Sequence, residues 1–306
     1  MAFKKVGFLA SDRVHVARQQ ILLRELKKYF DVCIFEYEKG KLNGIINVVA
    51  DITNKFRRWL AENRVDLMII RGDRFEVLGP AMITMYFGIR IAHIEGGDLS
   101  GNDTFDNKVR HAITQLSSIH FATNKESYAR LIGMGTDPDW TFNFGSLDVS
   151  YAKSVIPKRL IEEPYILVCQ HPMPGERPEI IDKAVKKEFK GKVIVIKSNS
   201  DNGTPYGNEE FSSEDYINLL RYASCLVGNS SSFLKEASIF GTPVLNIGTR
   251  QRNRLKPHNV KDVPFDENQI RQMLKFQLQL KYEPSDIYYQ QGTSQKITQK
   301  IKEFLR

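Results

Sequence analysis

Two carboxylates in this chain stand beside glycine where apolar runs break off: Asp73 in Arg71-Gly72-Asp73-Arg74, and Glu95 in His93-Ile94-Glu95-Gly96-Gly97-Asp98. A third, Asp106, precedes Arg110 and His111 by about one helical turn. Glycine lets backbone approach a ligand closely, and carboxylates on neighbouring loops can divide proton transfers at one reacting carbon. Farther on, Gln170-His171-Pro172 ends another apolar run. The stretch GNSSSFLKEASIFGTPVLNIGTR, residues 228–250, reads as strand, tight polar turn, helix over 233–240, and strand. The hydroxyls of Ser230 and Ser231 and the free N–H groups opening that helix are suited to phosphate, which the helix dipole also favours. Glu236, one turn further in, is placed to accept both hydroxyls of a ribose, and Arg250 follows the next strand as a second charge for phosphate. The pattern predicts a site for a nucleotide diphosphate.

Each feature has a plainer reading. Serine is a common helix N-cap, Asp106 and Arg110 on one helix face can form an intrahelical ion pair, and His111 can be a satisfied core histidine.

The elements that must hold these residues alternate between strand and helix throughout. Apolar strand runs fall at 6–10, 32–35, 67–70, 89–93, 119–122 and 141–144, with amphipathic stretches at 15–29, 45–63, 75–87, 104–117 and 125–134. Leu22, Leu23, Leu26, Tyr29 and Phe30 give the first helix its apolar stripe. A polar stretch, 150–164, reads as a linker, after which strands at 165–169, 193–196, 226–227 and 244–247 repeat the alternation. Helices at 268–280 and 294–304 end the chain and pack back over the sheets. The expected fold is α/β, two Rossmann-like doubly wound parallel sheets facing each other across a cleft (the GT-B arrangement), divided as 1–150 and 151–306. Ligands in such sheets bind beyond the carboxyl ends of the strands, where the polar residues above collect.

At 306 residues with 42% hydrophobic content the chain can bury two cores. No apolar run is long enough to span a bilayer, and the start MAFKKVGFLASDR lacks a signal-peptide cleavage pattern. The three cysteines, Cys33, Cys169 and Cys225, lie far apart in strand-like runs, so buried thiols in a reducing cytoplasm are expected. The net charge of +8 is concentrated in part at Arg250-Gln251-Arg252-Asn253-Arg254-Leu255-Lys256, next to the proposed phosphate strand. A nicotinamide or flavin fingerprint, a P-loop, a GxSxG elbow and a histidine-rich metal cluster are all missing.

Six motifs in order, RGDRFE (71–76), HIEGGD (93–98), RHAIT (110–114), QHP (170–172), GNSSS (228–232) and GTPVLNIGTRQ (241–251), closely resemble the hydrolysing UDP-N-acetylglucosamine 2-epimerases. The resemblance runs from about Asp66 to the C-terminus. It implies a reaction that uses neither metal nor NAD, hence no cofactor: UDP leaves as a base removes the proton from carbon 2, and water adds to the resulting glycal to release N-acetylmannosamine. By the same resemblance Asp73, Glu95 and Asp106 form the acid/base group. Arg13, in the turn after the first strand, and His171 face the diphosphate or sugar. Ser230, Ser231, Glu236 and Arg250 hold UDP, with Arg110, His111 and Gln170 also lining the substrate. The expected partner is a UDP-sugar, the expected assembly a homo-oligomer, and no membrane is involved.

The family pattern is broken in places. Two adjacent acids usually precede the Arg-His pair, whereas this chain has Asp106-Asn107, and an amide cannot shuttle a proton. The missing step is then lost, altered, or taken over by Asp98 or Asp103. Asn102-Asp103 is an insertion, and Phe233 stands at a common glycine position, which is expected to reshape the mouth of the nucleotide site. The alternative reading is a GT-B glycosyltransferase that passes the sugar to an anionic acceptor. Nucleic acid would be such an acceptor, but basic and aromatic residues do not interleave as on a nucleic-acid surface.

Overall fold

The computed structural model describes residues 4–10, 13–38, 44–101, 105–197 and 206–306, with residues 13–17 described in their backbone only. The chain divides into two compact units, one of Met1–Leu99, Asp103–Tyr151 and Tyr289–Arg306, the other of Ser100–Asn102 and Ala152–Tyr288. In the first, strands β1 (Lys5–Ala10), β2 (Asp31–Glu36), β3 (Leu67–Arg71), β4 (Arg90–Ile94), β5 (Ile119–Ala122) and β6 (Thr141–Asn143) form a parallel sheet in the order β2-β1-β3-β4-β5-β6. Helices α1 (Arg13–Leu26), α2 (Ile45–Glu62), α3 (Leu78–Tyr86), α4 (Phe105–Leu116), α5 (Lys125–Gly133) and α6 (Leu147–Ser154) belong to the same half of the chain. In the second, β7 (Tyr165–Cys169), β8 (Lys192–Val195), β9 (Cys225–Gly228), β10 (Val244–Ile247) and β11 (Val260–Val263) are also parallel, in the order β11-β10-β9-β7-β8. With them come α7 (Glu179–Glu188), α8 (Ser213–Tyr222), α9 (Ser231–Leu234) and α10 (Glu267–Gln277), before α11 (Thr293–Phe304) returns to the first unit.

Both sheets are wound the same way. The chain steps outward from the first strand of each unit, then returns to its other side. This creates a switch point between β1 and β3 and another between β7 and β9. The reversal leaves a crevice at the carboxyl ends of those strands.

The continuous apolar runs follow from burial on both faces. Successive side chains point to opposite faces, so β3 sends Leu67 and Ile69 to a core with Leu22, Leu23, Leu26, Ile297 and Ile301, and Met68 and Ile70 to one with Ile52, Phe56, Leu60 and Ile113. Helix α11 thus completes the core of the first sheet. Among the described residues, no helix is long and apolar enough to cross a membrane.

Several expectations need correction. The helix expected over 233–240 is a single α turn, Ser231–Leu234, followed by a 3-10 turn, Glu236–Phe240. The linker expected over 150–164 begins inside α6. Tyr29 is 40% exposed, because the helix it was assigned to ends at Leu26. Cys33 is only half-buried, on β2, the edge strand of the sheet. Phe233 is fully buried, so it fills the core and does not line a site mouth.

Candidate active site

In the first unit the candidate acids all lie at the carboxyl edge of the sheet. Asp73 is in the turn after β3, Glu95 directly follows β4, and Asp106 is in the first turn of α4, where the helix dipole favours a carboxylate. All three are half-buried and reachable from solvent.

The Asp73 turn is held from β4. Gly72 N–H donates to the Ile94 carbonyl at 2.9 Å, and His93 Nε2 lies 3.0 Å from the Gly72 carbonyl. A carbonyl only accepts, so Nε2 carries the proton and Nδ1 accepts from Thr114 Oγ1 at 3.1 Å. Burial pushes the His93 imidazole down to about 4, and does the same to His120.

Arg110, 2% exposed, gathers the rest. It forms an ion pair with Asp73 through Nη2, and its Nη1 donates to Asn107 Oδ1 at 2.9 Å and to the Asp98 carbonyl at 2.6 Å. Arg110 therefore links Asp73 to the Asn107 position, which is more than the intrahelical pair with Asp106 allowed by spacing. Asp98, offered as a replacement acid, is tied to its neighbours. It is 4% exposed and its Oδ1 accepts from Thr123 Oγ1 and Ser127 Oγ, both at 2.6 Å, so it anchors its loop to α5. Asp103 lies outside the described residues. His111 is half-buried and faces the charges of Arg110 and Arg130. Burial first and those cations second lower its pKa, and its Nδ1 has no hydrogen-bond partner among the described residues.

Glu95 has φ +69°, the one positive φ among the described non-glycine residues. This left-handed conformation costs a side-chain-bearing residue about 1 kcal/mol or more and persists where surrounding contacts enforce it. Its N–H is fixed to the Phe121 carbonyl at 2.9 Å, and its Oε1 accepts from Arg71 Nη2 at 2.9 Å. Arg71 Nη2 also pairs with Asp148 of α6. Burial disfavours charge on Arg71, but Asp148 and Glu95 outweigh it and raise its pKa. Arg71, Asp148 and His93 had no assigned role from sequence. Arg71 carried the one available signal, a cation as the last residue of an apolar strand.

In the second unit the polar residues flank the β7/β9 switch point. Asn229, fully buried after β9, clasps the backbone of His171 after β7: its Oδ1 accepts from His171 N–H at 2.7 Å and its Nδ2 donates to the His171 carbonyl at 2.9 Å. The Asn229 carbonyl accepts from Arg250 Nη1 at 3.0 Å and Gln251 Nε2 at 2.9 Å. Gln170 is buried, donates to Glu176 at 2.9 Å, and keeps a buried Oε1 without a partner among the described residues. Ser230 occupies the N-cap position, yet its side chain makes no cap hydrogen bond and pairs instead with Ser232 Oγ at 2.8 Å. The plain capping reading of Ser230 therefore does not hold. Ser231 is half-buried and Glu236 is 2% exposed. A one-turn helix has little macrodipole, so the dipole expected from sequence to favour phosphate is largely absent, and the hydroxyls, local N–H groups and Arg250 are the groups left that would attract an anion. Burial, with Arg250 close by, pushes His171 down to about 3, so the imidazole is neutral and Arg250 carries the positive charge. Arg13 is the first residue of α1 and not part of the turn before it; its side chain lies outside the described residues.

The buried neutral histidines predict acid sensitivity. In the unfolded chain His93 and His120 titrate near their ordinary value of 6.5, and in the fold near 4. The unfolded state therefore binds more protons in between. Stability is complete above about pH 6.5 and falls as pH is lowered toward 4, by up to about 1.4 kcal/mol per pH unit for each group. Thermal melts from pH 7 to 5 check this; a slope unchanged by His120→Gln would contradict the assignment to His120.

The sequence matches the UDP-N-acetylglucosamine 2-epimerase family over residues 19–302, and the chain belongs to that family. It is 28% identical to polysialic acid biosynthesis protein P7 of Escherichia coli over 298 residues, covering 86% of this chain and 76% of that one. It is 30% identical to a UDP-N-acetylglucosamine 2-epimerase of Neisseria meningitidis over 268 residues, covering 78% and 71%. Among solved structures, S. aureus MnaA with UDP superposes with a TM-score of 0.85 at 16% identity, covering 99% of this chain and 97% of that one. The N. meningitidis UDP-GlcNAc 2-epimerase bound to UDP-GlcNAc gives 0.81 at 16% identity, covering 98% and 100%. The fold, two parallel-sheet α/β units, is that of these GT-B-like epimerase structures.

Proposed function

We propose that this protein is a hydrolysing 2-epimerase of UDP-N-acetylglucosamine or a closely related UDP-amino sugar. A carboxylate removes the proton from carbon 2 as the C1–O bond to UDP breaks. Water then adds across the glycal, with a proton delivered to carbon 2 from the opposite face, and N-acetylmannosamine and UDP leave. Asp73, Glu95 and Asp106 supply the proton transfers, Arg13 and His171 meet the diphosphate or sugar, and Arg110, His111 and Gln170 line the site. Ser230, Ser231, Glu236 and Arg250 hold UDP. The observation that carries this reading is the gathering of three half-buried carboxylates at one sheet edge, two of them paired with the buried cations Arg71 and Arg110. Binding alone does not call for three such acids. Relatives at 28% and 30% identity, from Campylobacter jejuni and Legionella pneumophila, are hydrolysing diacetylbacillosamine 2-epimerases, which supports the hydrolytic outcome. A proton NMR time course with UDP-N-acetylglucosamine is the test. Free N-acetylmannosamine with UDP is expected; UDP-N-acetylmannosamine or transfer to an acceptor would reject the reading, as would no reaction with either UDP-N-acetylglucosamine or UDP-diacetylbacillosamine.

Arg250→Ala should weaken UDP binding by roughly 1.5–3 kcal/mol, the scale of a charge-assisted hydrogen bond. The fold should tolerate the change, because Gln251 still donates to the Asn229 carbonyl that Arg250 also reaches. Calorimetry showing unchanged UDP affinity would remove the diphosphate from this loop.

Asn107 tests the break in the family pattern. Asn107→Asp keeps the acceptor that Arg110 Nη1 uses at 2.9 Å and adds an acid of nearly equal size. If the second acid supports hydration, the wild type should release glycal alongside N-acetylmannosamine, and the variant should shift the ratio toward the mannosamine by about threefold or more. Clean product from wild type, unchanged in the variant, would show that the amide suffices.

A further inference from the structure

Glu95 combines an unfavourable backbone conformation with a partly exposed carboxylate, and one buried side chain reaches it from the neighbouring strand. Arg71 is 8% exposed and its Nη2 is shared between Glu95 Oε1, at 2.9 Å, and Asp148 Oδ2. Its Nε and Nη1 are buried and have no hydrogen-bond partner among the described residues. The other Glu95 oxygen, Oε2, lies 4.0 Å from where a Cβ would stand on Gly72, so the carboxylate sits over the turn that presents Asp73. We infer that Arg71 and Asp148 are positioning residues that set the direction and charge of the Glu95 carboxylate in the reaction.

A φ of +69° aims Glu95 away from the path an extended strand would give it, and the carboxylate needs a directional partner to stay in one rotamer. Guanidinium supplies direction, which an ammonium does not. Asp148 at the start of α6 fixes Arg71 in turn, and as a second anion it takes part of the guanidinium charge away from Glu95. Among the charged or titratable groups near Glu95 are Arg71 from β3, Asp148 from α6 beyond it, and His93 on β4, which burial keeps neutral.

This rests on the assignment of Glu95 to the reaction, so the test has one arm that does not need turnover. Asp148→Asn keeps shape and an oxygen acceptor but removes the competing anion. In the carbon-13 spectrum of side-chain-carboxyl-labelled glutamate, with Glu95 assigned by its loss in Glu95→Gln, the Glu95 midpoint should move down by about half a pH unit or more. In kinetics, Asp148→Asn should change kcat by about threefold to thirtyfold, the size of coupling between contacting groups, with KM within about twofold. That change should vanish when Glu95→Gln is already present. Arg71→Lys should lower kcat by more than Asp148→Asn does, because one ammonium cannot span both acids in the same geometry. An unmoved Glu95 midpoint, or an equal kcat change in both backgrounds, overturns the inference. A moved midpoint in a protein inert toward both UDP-N-acetylglucosamine and UDP-diacetylbacillosamine supports the positioning while rejecting the epimerase reading.

Discussion

Glu95→Gln is expected to lower turnover by about 100-fold or more, with little change in melting temperature. The amide is nearly isosteric, keeps an oxygen toward Arg71 Nη2, and leaves the Glu95 N–H on the Phe121 carbonyl, so the positive-φ backbone is held as before. What disappears is the carboxylate that, in the proposed reaction, takes or returns a proton at carbon 2. Asp73→Asn and Asp106→Asn should lose turnover on the same scale if those acids share the two proton transfers. Asp73→Asn and Glu95→Gln each break an ion pair with a buried arginine, but Arg71 keeps Asp148 when Glu95 is replaced, so Asp73→Asn should cost more stability. Calorimetric melting and NMR turnover on the three variants decide the matter. Retained activity in all three would contradict the acid/base assignment, and a collapse in melting temperature for Glu95→Gln would mark that side chain as structural.

The largest expected stability effect is at Gly228→Ala. Gly228 ends β9 with φ +133°, a conformation L side chains rarely adopt, and an added Cβ would stand 2.1 Å from the Cys169 carbonyl oxygen and 2.6 Å from its carbon. Those are backbone atoms of β7, the strand Gly228 pairs with, so no rotamer can relieve the clash. The two strands must part at the switch point where Asn229 clasps His171. A loss of about 3 kcal/mol or more is expected, seen as a fall of roughly 6–12 °C in the melting of this unit. UDP affinity should fall with it. Gly175→Ala is the control: its φ is +85° but nothing lies within 4 Å of the added Cβ. It carries only conformational strain, about 1 kcal/mol. Equal losses in the two variants would show that strain, and not the close approach of β7 and β9, dominates.

Much of this molecule is written in local pattern. Apolar runs such as Tyr165–Cys169 and Val244–Ile247 are strands as expected, because a chain buried on both sheet faces needs apolar side chains at every position. The polar residues at their ends were readable for the same reason: a parallel sheet brings every carboxyl end to one edge, so Asp73 and Glu95 had to share it. The less apolar elements α7, α8 and β11 were missed. Their burial is partial, as in the pattern from buried Val260 to exposed Asp262 in β11, and short amphipathic segments are hard to separate from loops. The helix over 233–240 was read too long because its composition suits either kind of turn; Lys235, at ψ −69°, is where the α turn gives way to the 3-10 turn.

The two alternations, the glycine-flanked acids and the serine turn are legible along the chain because each is carried by residues within a few positions of one another. Which charges meet is set by the fold. Arg71 joins Glu95, 24 residues away, to Asp148, 77 away, and Asn229 grips His171 across 58 residues. Those contacts depend on strand order and register, and a pairing of charges has no period in the sequence by which it can be read. Glu95's positive φ belongs with them: nothing in its residue type calls for that conformation, and it is met by contacts from Arg71 of β3 and Phe121 of β5.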